Sequence, residues 1–464
     1  KWHLGFASRE YTPTYRGFDS HWGYWTARES YFEHINCDRD NCGKWHLGFA
    51  SREYTPTYRG FDSHWGYWTA RESYFEHINC DRDNCGLDFR HNMDVITNAS
   101  GVYSTHYFTD RCLHIIDQHN ISEPLFLYVP HQSVHSSGTN FTLEAPEEYI
   151  DMFAYIESDI RRLLAAVVYA MDESIGAVVE ALHTKQMLGN SIILFMSDNG
   201  GFHHLFGIRV PAFIWSPLLN KSGYVSDALI HVTDLLPTVL DAINGTGMLS
   251  DHNVPIYGKS QWHTLSNNDI PVRSELIHNV DPIWNISAIR WYDWKLIQNF
   301  TAYVENHIVT DLLTAGPPLG SYSPPFNANN ESFQSLQTMD RVNSKSYHVL
   351  TQMNRRPDYE VLKGSVVECG PTPPQTLPYE CTDTQLCLFN IRHDPCEYHN
   401  LIGETDPQFV RFLWQKMVDF NETSVPPLTL VPGDDRAKPA LHNNTWTNWL
   451  DSDGDSYVID RSEL

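Results

Sequence analysis

The sequence predicts an α/β protein with a large mixed sheet sandwiched by helices, followed by a smaller C-terminal α+β subdomain. Short apolar runs bounded by proline or glycine alternate with helix-like stretches between about residues 124 and 243. Such alternation is typical of a parallel or mixed sheet that is covered on both faces. After about residue 285 the pattern changes to a hairpin and single short strands. The 464 residues, 41% of them hydrophobic, suffice for a large buried core.

Each element follows from the spacing of its apolar side chains. Short apolar runs predict buried strands, and apolar residues at helical spacing predict amphipathic helices. The predicted strands are residues 124–130, 191–197, 210–215 and 386–391. The predicted helices are residues 153–188, 233–243 and 407–420. Residues 286–298 predict a hairpin around Tyr292 and Asp293, and residues 314–335, rich in proline, serine and asparagine, predict a loop.

The first 86 residues are a tandem repeat, because residues 1–43 and 44–86 are identical at every position. Solenoid repeats diverge in sequence and occur in three or more copies, so this duplication does not predict a solenoid. Only one copy can occupy a given place in a fold. The second copy continues directly into residues 87–90, and we therefore expect it to be the copy that builds the site. We expect the first copy to be an added flap or poorly ordered.

The charge balance limits the partners of the protein. The formal net charge is −25, which disfavours nucleic acid and membrane surfaces and requires a local cationic site for any anionic ligand. The charge is equally consistent with simple solubility. No apolar run approaches the roughly 20 residues that a membrane-spanning helix needs, so the sequence predicts no membrane span.

Acceptor tripeptides for N-glycosylation indicate the secretory pathway, with a lysosomal or extracellular destination. They occur at Asn98, Asn120, Asn140, Asn220, Asn244, Asn285, Asn299, Asn330, Asn421 and Asn443. The chain begins at Lys1 without an initiator methionine or a signal peptide. For a secreted protein we therefore expect that an N-terminal segment is missing.

The nine cysteines also suit an oxidising compartment, because most of them are close to another cysteine in sequence. We expect disulfides within the pair Cys37 and Cys42 and within the pair Cys80 and Cys85. A later cluster is formed by Cys369, Cys381, Cys387 and Cys396, for which zinc binding is the alternative to disulfides. Cys112 is left over in a predicted helix and is expected to be a buried thiol.

Three groups of polar residues are candidates for chemistry. Asp198 and Asn199 follow a predicted strand and offer hard oxygen ligands for Ca²⁺ or Mg²⁺, although the same letters are common in turns. His135 follows the strand at residues 124–130 and is a candidate general acid or anion contact, with a structural histidine as the alternative. Lys44 and His46 are two residues apart, so in an extended segment both side chains point the same way and form a cationic patch.

These residues lie in motifs that resemble the sulfatase family, in particular its arylsulfatase B-like members. The segment Gly43-Lys44-Trp45-His46-Leu47-Gly48, followed by Arg59-Gly60-Phe61-Asp62, is similar to the family's GKWHLG segment. The matches continue in the family's order over nearly the whole chain. They include Gln132-Ser133-Val134-His135, Ser197-Asp198-Asn199-Gly200-Gly201, Arg209-Val210-Pro211, His231-Val232-Thr233-Asp234, Ile277-His278-Asn279 and Trp294-Lys295-Leu296.

The resemblance implies an alkaline-phosphatase-like fold and hydrolysis of sulfate monoesters, with a sulfated carbohydrate or an aryl sulfate as substrate. Enzymes of this family use a formylglycine nucleophile, made from the cysteine of a C-x-P-S/A-R motif, and Ca²⁺. By position, Asp198 and Asn199 match two metal ligands, and Lys44 and His46 match the pair that holds the formylglycine. His135 matches a sulfate-contacting histidine near the leaving group. Lys1 and His3 are the duplicate candidates for Lys44 and His46.

The chain also departs from the family pattern. The C-x-P-S/A-R motif and the early Asp-Asp pair of the metal site are absent, and the nearest cysteine motif, at Cys369, has Pro373 where arginine is needed. The loop that carries a second active-site lysine is missing before Arg209, and His203 and His204 are not expected to replace it. We therefore expect the chain as it stands to be inactive.

Two alternatives remain open beside a sulfatase with an incomplete sequence. The chain is either a non-catalytic sulfatase-like protein that binds sulfated glycans, or a phosphoesterase of the same superfamily with a serine or threonine nucleophile. The resemblance divides the chain into the duplicated copy at residues 1–43, a partial sulfatase catalytic domain at residues 44–285 and a C-terminal subdomain at residues 286–464.

Overall fold

The computed structural model describes residues 38–139, 142–200, 209–247, 256–281, 285–298, 344–356, 358, 360–361, 364–365, 367, 381, 386–424 and 434–451. The chain divides into two compact units. The first unit comprises residues 1–188, 343–355 and 432–464, and the second comprises residues 189–342 and 356–431.

The secondary structure alternates strands and helices, as the sequence predicts. The strands are β1 (Asp38–Lys44), β2 (Ser63–Tyr67), β3 (Ile78–Asp81), β4 (Asn84–Leu87), β5 (Arg90–His91), β6 (Asp94–Val95), β7 (Leu125–Tyr128), β8 (Ile193–Met196), β9 (Ala212–Trp215), β10 (Glu275–Asp281), β11 (Ile286–Trp291), β12 (Trp294–Gln298) and β13 (Cys387–Asn390). The helices are α1 (Ser104–Gln118), α2 (Glu147–Met152), α3 (Asp159–Thr184), α4 (Leu235–Ala242), α5 (Trp262–Asn267), α6 (Lys345–Gln352) and α7 (Pro407–Asn421).

A mixed five-stranded sheet forms the centre of the first unit, in the order β6-β5-β2-β1-β7. β1 pairs in parallel with β2 on one side and with β7 on the other, while β5 and β6 add antiparallel strands beyond β2. The carboxyl ends of β1, β2 and β7 therefore meet at one edge of the sheet. Helix α1 packs against β1 and β2, and its Phe108 and Cys112 join Cys42 and Tyr67 in the core.

β1 is built from the end of the first repeat copy. Residues 38–43 belong to that copy, so this part of it forms a strand of the sheet and not an added flap, and the predicted boundary after residue 43 falls inside β1. The identical hexapeptide at residues 81–86 of the second copy spans the turn of the β3–β4 hairpin instead. There Cys85 forms a disulfide with Cys80. Tertiary context thus gives one sequence two conformations.

Helix α3 is the long helix that residues 153–188 predict, but it begins at Asp159. Ser158 caps it, because its hydroxyl accepts a hydrogen bond from the backbone N–H of Arg161 at 3.5 Å. Ala166, Val167 and Ala170 of α3 pack on Tyr74 and Tyr103, which places the apolar face of the helix in a second core of the first unit.

The second unit contains an antiparallel sheet in the order β10-β11-β12-β13. The hairpin predicted around Tyr292 and Asp293 is formed by β11 and β12, and the predicted strand and helix at residues 386–391 and 407–420 are present as β13 and α7. Leu413 and Met417 of α7 pack on this sheet. β8 and β9 pair antiparallel in the same unit. The loop predicted at residues 314–335 lies outside the described residues.

Two expectations about burial and cysteines need correction. β7 and β9 form where residues 124–130 and 210–215 predict strands, but neither strand is buried. Phe126 and Tyr128 of β7 and Phe213 of β9 are exposed, because each strand lies at the edge of its described sheet. Cys42 is a free thiol and not the disulfide partner of Cys37, since it is buried in β1, where it packs in the same core as Cys112. The buried thiol at Cys112 is confirmed.

The other cysteine predictions agree with the structure. Cys80 bonds to Cys85 and Cys381 bonds to Cys387, and the second of these bonds contradicts the zinc alternative for the late cluster, since it consumes two of its four thiols. Among the helices of the described chain, none is both long and apolar enough to cross a membrane.

Candidate active site

Lys44 ends β1 at the edge where the parallel strands finish. Its backbone N–H donates to the carbonyl of Pro130, 2.9 Å away, just beyond β7. The preceding Gly43 has a φ of +136°, and a Cβ there would lie 2.3 Å from the same Pro130 carbonyl oxygen. Glycine is thus required at position 43 both by conformation and by space, and it brings Lys44 directly against the segment that leads to His135.

His46 follows in a tight turn, not in an extended segment. The N–H of His46 donates to the carbonyl of Trp68 at 3.2 Å, beyond β2, and its φ of +50° lies in the left-handed region. The Trp45 indole N–H donates to the carbonyls of Gly48 and Tyr54 and so fixes the turn. The prediction that the Lys44 and His46 side chains point the same way assumed an extended segment. That assumption is wrong, because His46 lies in a turn. Both residues nevertheless lie at the same sheet edge.

His135 lies in the turn that follows β7. Its N–H donates to the carbonyl of Gln132 at 2.8 Å, and its own carbonyl accepts from the Tyr74 hydroxyl at 2.9 Å. The imidazole is exposed and its Nδ1 lies 3.0 Å from the Ser136 carbonyl. Lys44, His46 and His135 thus all follow the carboxyl ends of neighbouring strands in the first unit, where functional groups of α/β sheets collect.

The buried polar groups beneath this edge lie outside the residues to which the sequence motifs assign a role. Asp88 accepts hydrogen bonds from the N–H groups of Trp68 and Thr69, at 3.0 and 2.7 Å. Arg90 lies 3.5 Å from the Asp88 carboxylate and stacks over the Trp68 indole at 3.8 Å. Because Trp68 supplies the carbonyl that holds His46, Asp88 and Arg90 support the position of His46 indirectly. Charged side chains are rarely buried without a purpose, so the burial of Asp88 and Arg90 close to the motif identifies them as part of the site.

His131 is a further residue without an assigned role. It comes directly after the β7 segment, and its Nδ1 is buried without a hydrogen-bond partner in the described part of the chain. Burial lowers the pKa of His131 to about 4, so the imidazole is neutral at physiological pH. It therefore adds no positive charge to the edge that carries Lys44.

Asp198 and Asn199 lie in the second unit, just after β8. The Asn199 N–H donates to Asp198 Oδ1 at 2.8 Å and the Asn199 side-chain amide donates to the Gly200 carbonyl at 2.9 Å, as in an ordinary polar turn. The backbone of Ser197 pairs with Pro211 at 3.2 Å and closes the β8–β9 hairpin. Lys1, His3, His203 and His204 lie outside the described residues.

The donors at this turn fit a hard cation in type but not in number. A carboxylate and an amide oxygen are typical Ca²⁺ ligands, but Ca²⁺ takes six to eight oxygens. No group of three or more histidine, cysteine, aspartate or glutamate side chains suited to a metal ion occurs among the residues that the structure describes. Asp198 and Asn199 alone therefore do not make a metal site.

The sheet and its polar edge are typical of α/β enzymes, which carry their functional groups at the carboxyl ends of strands. A family model of sulfatases matches residues 38–246. Arylsulfatase J of Mus musculus is 30% identical over 485 residues, which cover 97% of this chain and 63% of the mouse protein. The uncharacterized sulfatase YdeN of Escherichia coli is 26% identical over 355 residues, covering 71% of this chain and 52% of that protein.

A solved structure agrees in fold. The yidJ protein of Bacteroides fragilis superposes with a TM-score of 0.51 at 13% identity, over 83% of this chain and 74% of that one. Residues 38–246 thus match a sulfatase domain, and these similarities support the sulfatase family and the alkaline-phosphatase-like fold that the motifs predict. Enzymes of the family hydrolyse sulfate esters and generally use a metal ion. The chain spans less than two thirds of the length of the two relatives named above.

Proposed function

We propose that the protein to which these 464 residues belong is a sulfuric ester hydrolase of the arylsulfatase B-like type that removes sulfate from sulfated sugars, among them glycosaminoglycans. The observation that carries this proposal is the position of Lys44 at the carboxyl end of β1, held against Pro130 and followed by the His46 turn. A primary ammonium at this edge supplies the positive charge that a sulfate ester needs as its bridging oxygen leaves.

The proposed division of roles follows the family motif. Lys44 and His46 hold and orient the formylglycine nucleophile, and His135 contacts the sulfate near the leaving oxygen, where an exposed imidazole can deliver a proton to the departing alcohol. Asp198 and Asn199 supply two oxygen ligands of a Ca²⁺ ion whose chemistry is to neutralise negative charge on the sulfate group. The remaining ligands are not among the described residues, and we derive no step through the metal.

A polypeptide of these 464 residues alone is proposed to be inactive. It contains no C-x-P-S/A-R motif, and without that cysteine no formylglycine is made. Loss of the nucleophile removes the covalent route to hydrolysis. The abrupt step from Gly201 to Arg209 removes the lysine-bearing loop as well.

We also propose that the protein is a glycoprotein of the secretory pathway, either lysosomal or secreted. The asparagines of the acceptor tripeptides in the described residues all lie at exposed positions, at Asn98, Asn120, Asn220, Asn244, Asn285, Asn421 and Asn443. The disulfides Cys80–Cys85 and Cys381–Cys387 support the same oxidising compartment.

The second candidate is a sulfatase-like protein that binds sulfated glycans without turnover. The missing lysine-bearing loop favours it, because that gap lies inside the chain, between Gly201 and Arg209. Sequencing of the full-length transcript through Gly201 distinguishes the two. A transcript with one repeat copy, a C-x-P-S/A-R motif and a lysine-bearing loop supports the hydrolase, whereas one that encodes neither motif supports the binding protein.

The activity test uses the complete product of that transcript and an aryl sulfate substrate. We expect Lys44→Ala to lower kcat/KM by about 100-fold or more, as removal of one charge-stabilising group usually does. Lys438→Ala is the matched control, because this half-exposed lysine of the first unit pairs only with the exposed Asp435 among the described residues. Equal effects of the two substitutions, or the absence of sulfate release from the complete protein, would contradict the proposal.

A further inference from the structure

An open cleft lies between the C-terminal ends of α1 and α3 in the first unit. Its volume is about 430 Å³, which is within the range of about 300–1,000 Å³ that small-molecule sites occupy. The two helices pack against each other, and the Lys185 ammonium, just after α3, donates to the carbonyl of Asp117 near the end of α1. The residues that line the cleft are His119, Asn120, Ile121, Thr184, Lys185 and Gln186.

His119 fixes the wall of the cleft on the side of α1. Its imidazole is buried. Its Nδ1 lies 2.7 Å from Asp38 Oδ2, and its Nε2 lies 2.9 Å from the carbonyl oxygen of Glu123. Both ring nitrogens are therefore engaged within the chain, and His119 serves as a rigid wall of the cleft and not as a group that binds a ligand.

The other lining residues offer an apolar surface beside unused polar groups. Ile121 is 64% exposed. Thr184 and Gln186 are also exposed, and among the residues that the structure describes no partner accepts from or donates to the Thr184 hydroxyl or the Gln186 side-chain amide. A sugar ring presents both apolar C–H groups and polar hydroxyl groups. The cleft therefore matches a sugar in chemistry, because apolar burial and hydrogen bonding are both available.

Asn120 belongs to the cleft and is also the acceptor of the tripeptide Asn120-Ile121-Ser122. Its Oδ1 accepts from the N–H and from the hydroxyl of Ser122, at 3.2 and 2.9 Å, and its Nδ2 donates to Glu123 Oε1 at 3.1 Å. The side-chain amide has two hydrogens. A sugar on Nδ2 replaces one of them and leaves the other for Glu123.

We propose that Asn120 carries an N-linked glycan whose first N-acetylglucosamine residue binds in this cleft. In the transfer, a bond forms between Asn120 Nδ2 and C1 of the sugar of a lipid-diphosphate-linked oligosaccharide. The bond between C1 and the diphosphate breaks, the lipid diphosphate leaves, and a base of the transferase takes the amide proton. The bound sugar then covers Ile121 and forms hydrogen bonds with Thr184 and Gln186. The modification rests on the secretory pathway proposed above, and the binding site in the cleft is an addition to that proposal.

Covalent attachment makes weak affinity sufficient for this binding. A ligand on a short linker has an effective concentration in the millimolar range, so a cleft with only millimolar affinity for a sugar is occupied when the sugar is attached to its own wall. Asn120 follows the C-terminal end of α1, and Thr184 is the last residue of α3. The bound sugar therefore adds a contact between the ends of the two helices.

The first measurement compares two acceptor sites of the 464-residue chain, secreted from animal cells behind a cleavable signal peptide. Asn421 is the matched reference, because it also lies at the C-terminal end of a helix, α7, and all three residues of its tripeptide are exposed. Glycopeptide mass spectrometry measures occupancy, and release by a glycosidase that cleaves the Asn–sugar bond measures access. We expect the native chain to release the Asn120 glycan about 10-fold more slowly than the Asn421 glycan, and the unfolded chain to release both equally.

Variants separate the cleft from the acceptor tripeptide. Ile121→Ser/Thr184→Val changes the cleft but keeps the acceptor, so it should raise the release rate at Asn120 to that at Asn421. The same double substitution should lower the Tm of the glycosylated chain by about 2 °C. In a Ser122→Ala chain, which has no acceptor at Asn120, it should lower Tm by less than about 0.5 °C. Ser122→Thr, which keeps the hydroxyl and the acceptor, should have the release rate of the wild-type chain.

The outcomes distinguish this inference from the proposed function. Slower release at Asn120 that the cleft variant abolishes supports the inference. Equal release at the two sites in the native chain, or equal Tm shifts with and without the acceptor, would overturn it. A glycan at Asn421 without one at Asn120 would also overturn it but leave the glycoprotein proposal intact, whereas no glycan at any acceptor would contradict both. Since no readout is sulfate release, an inactive complete protein with a cleft-bound glycan would contradict the hydrolase alone.

Discussion

Asp234 is a buried charge whose cost is met by several donors. Arg273 Nε lies 2.7 Å from Asp234 Oδ2 and its Nη2 lies 2.5 Å from Oδ1, while the N–H groups of His231 and Lys259 also donate to the carboxylate. Burial raises the pKa of Asp234, but the hydrogen bonds from Arg273, His231 and Lys259 outweigh it, so the pKa lies below its ordinary value. The ionised carboxylate of Asp234 therefore stabilises the start of α4.

Substitution Asp234→Asn should lower the free energy of unfolding at pH 7 by about 3–5 kcal/mol, because it leaves the buried Arg273 without its counter-charge. Since the folded pKa is lowered, this contribution is present above the unfolded pKa near 4 and is lost as the pH falls through the folded value. Urea unfolding at pH 7 and pH 3 measures both effects.

The matched control is Asp435→Asn, which breaks the pair of the exposed Asp435 with Lys438 at 2.7 Å. We expect it to cost about 0.5 kcal/mol or less. A difference under about 1 kcal/mol between the two variants would mean that the buried pair is not what holds α4.

Glu72 has the opposite pH dependence. It is fully buried; its Oε1 accepts from the Ser104 hydroxyl at 2.9 Å and lies 3.4 Å from His77 Nδ1, while Oε2 has no partner in the described part of the chain. Burial raises the pKa of Glu72 to about 7, against the opposing effect of His77. The folded state therefore binds a proton that the unfolded state releases.

Between about pH 4.5 and pH 7 the wild-type chain should lose stability as the pH rises, by about 1 kcal/mol per pH unit. Glu72→Gln removes this titration, and the stability difference between pH 5 and pH 8 should shrink accordingly. Glu404→Gln, at an exposed position, should leave the pH profile unchanged. If chemical denaturation gave parallel curves of stability against pH for the wild-type and Glu72→Gln chains, Glu72 would not be the group that titrates.

At the scale of elements, the contact between β1 and β2 tolerates no side chain at Gly66. Gly66 pairs with Gly43 across the two strands, and a Cβ on Gly66 would lie 2.0 Å from the Gly43 carbonyl oxygen. Gly66→Ala should therefore cost about 3 kcal/mol, whereas Gly189→Ala, which meets no atom within 4 Å, should change stability by about 0.5 kcal/mol or less. Thermal unfolding checks both, and equal midpoints would exclude the steric argument.

Elements with strong local patterns were predictable from sequence, and β1 was not. The β11–β12 hairpin and α7 follow from apolar periodicity and turn residues, which act within a few residues. β1 contains Asp40 and Asn41, both buried, and polar residues of this kind are rare in strands. The same letters form a hairpin at residues 81–86, so only the neighbours β2 and β7 determine the strand.

The candidate site was predictable in its residues but not in its geometry. The motif around Lys44 and His46 identified the carboxyl edge of the sheet. Nothing local predicts the left-handed conformation of His46, because it depends on the Trp68 carbonyl, which is distant in sequence.

At the scale of the whole molecule, the candidate residues are divided between the two units. Lys44, His46 and His135 belong to the first unit and Asp198 and Asn199 to the second. The net charge of −25 gives the chain a general attraction for cations, but specific binding of Ca²⁺ needs six to eight oxygens at one place. The net charge thus favours calcium binding, whereas the small number of oxygen ligands predicts that this binding is weak.

We expect the number of oxygen ligands, and not the net charge, to determine the affinity for Ca²⁺. The 464-residue chain should therefore bind Ca²⁺ with a Kd of about 1 mM or weaker. At 1 mM Ca²⁺ such binding adds about 0.4 kcal/mol to the free energy of unfolding, whereas a micromolar site would add about 4 kcal/mol. Thermal unfolding with Ca²⁺ and with a chelator, at equal ionic strength, distinguishes the two. Asp198→Asn should have the same small calcium response as the wild-type chain. Sub-micromolar affinity in calorimetry that disappears in Asp198→Asn would show instead that Asp198 and Asn199 belong to a complete metal site within this chain.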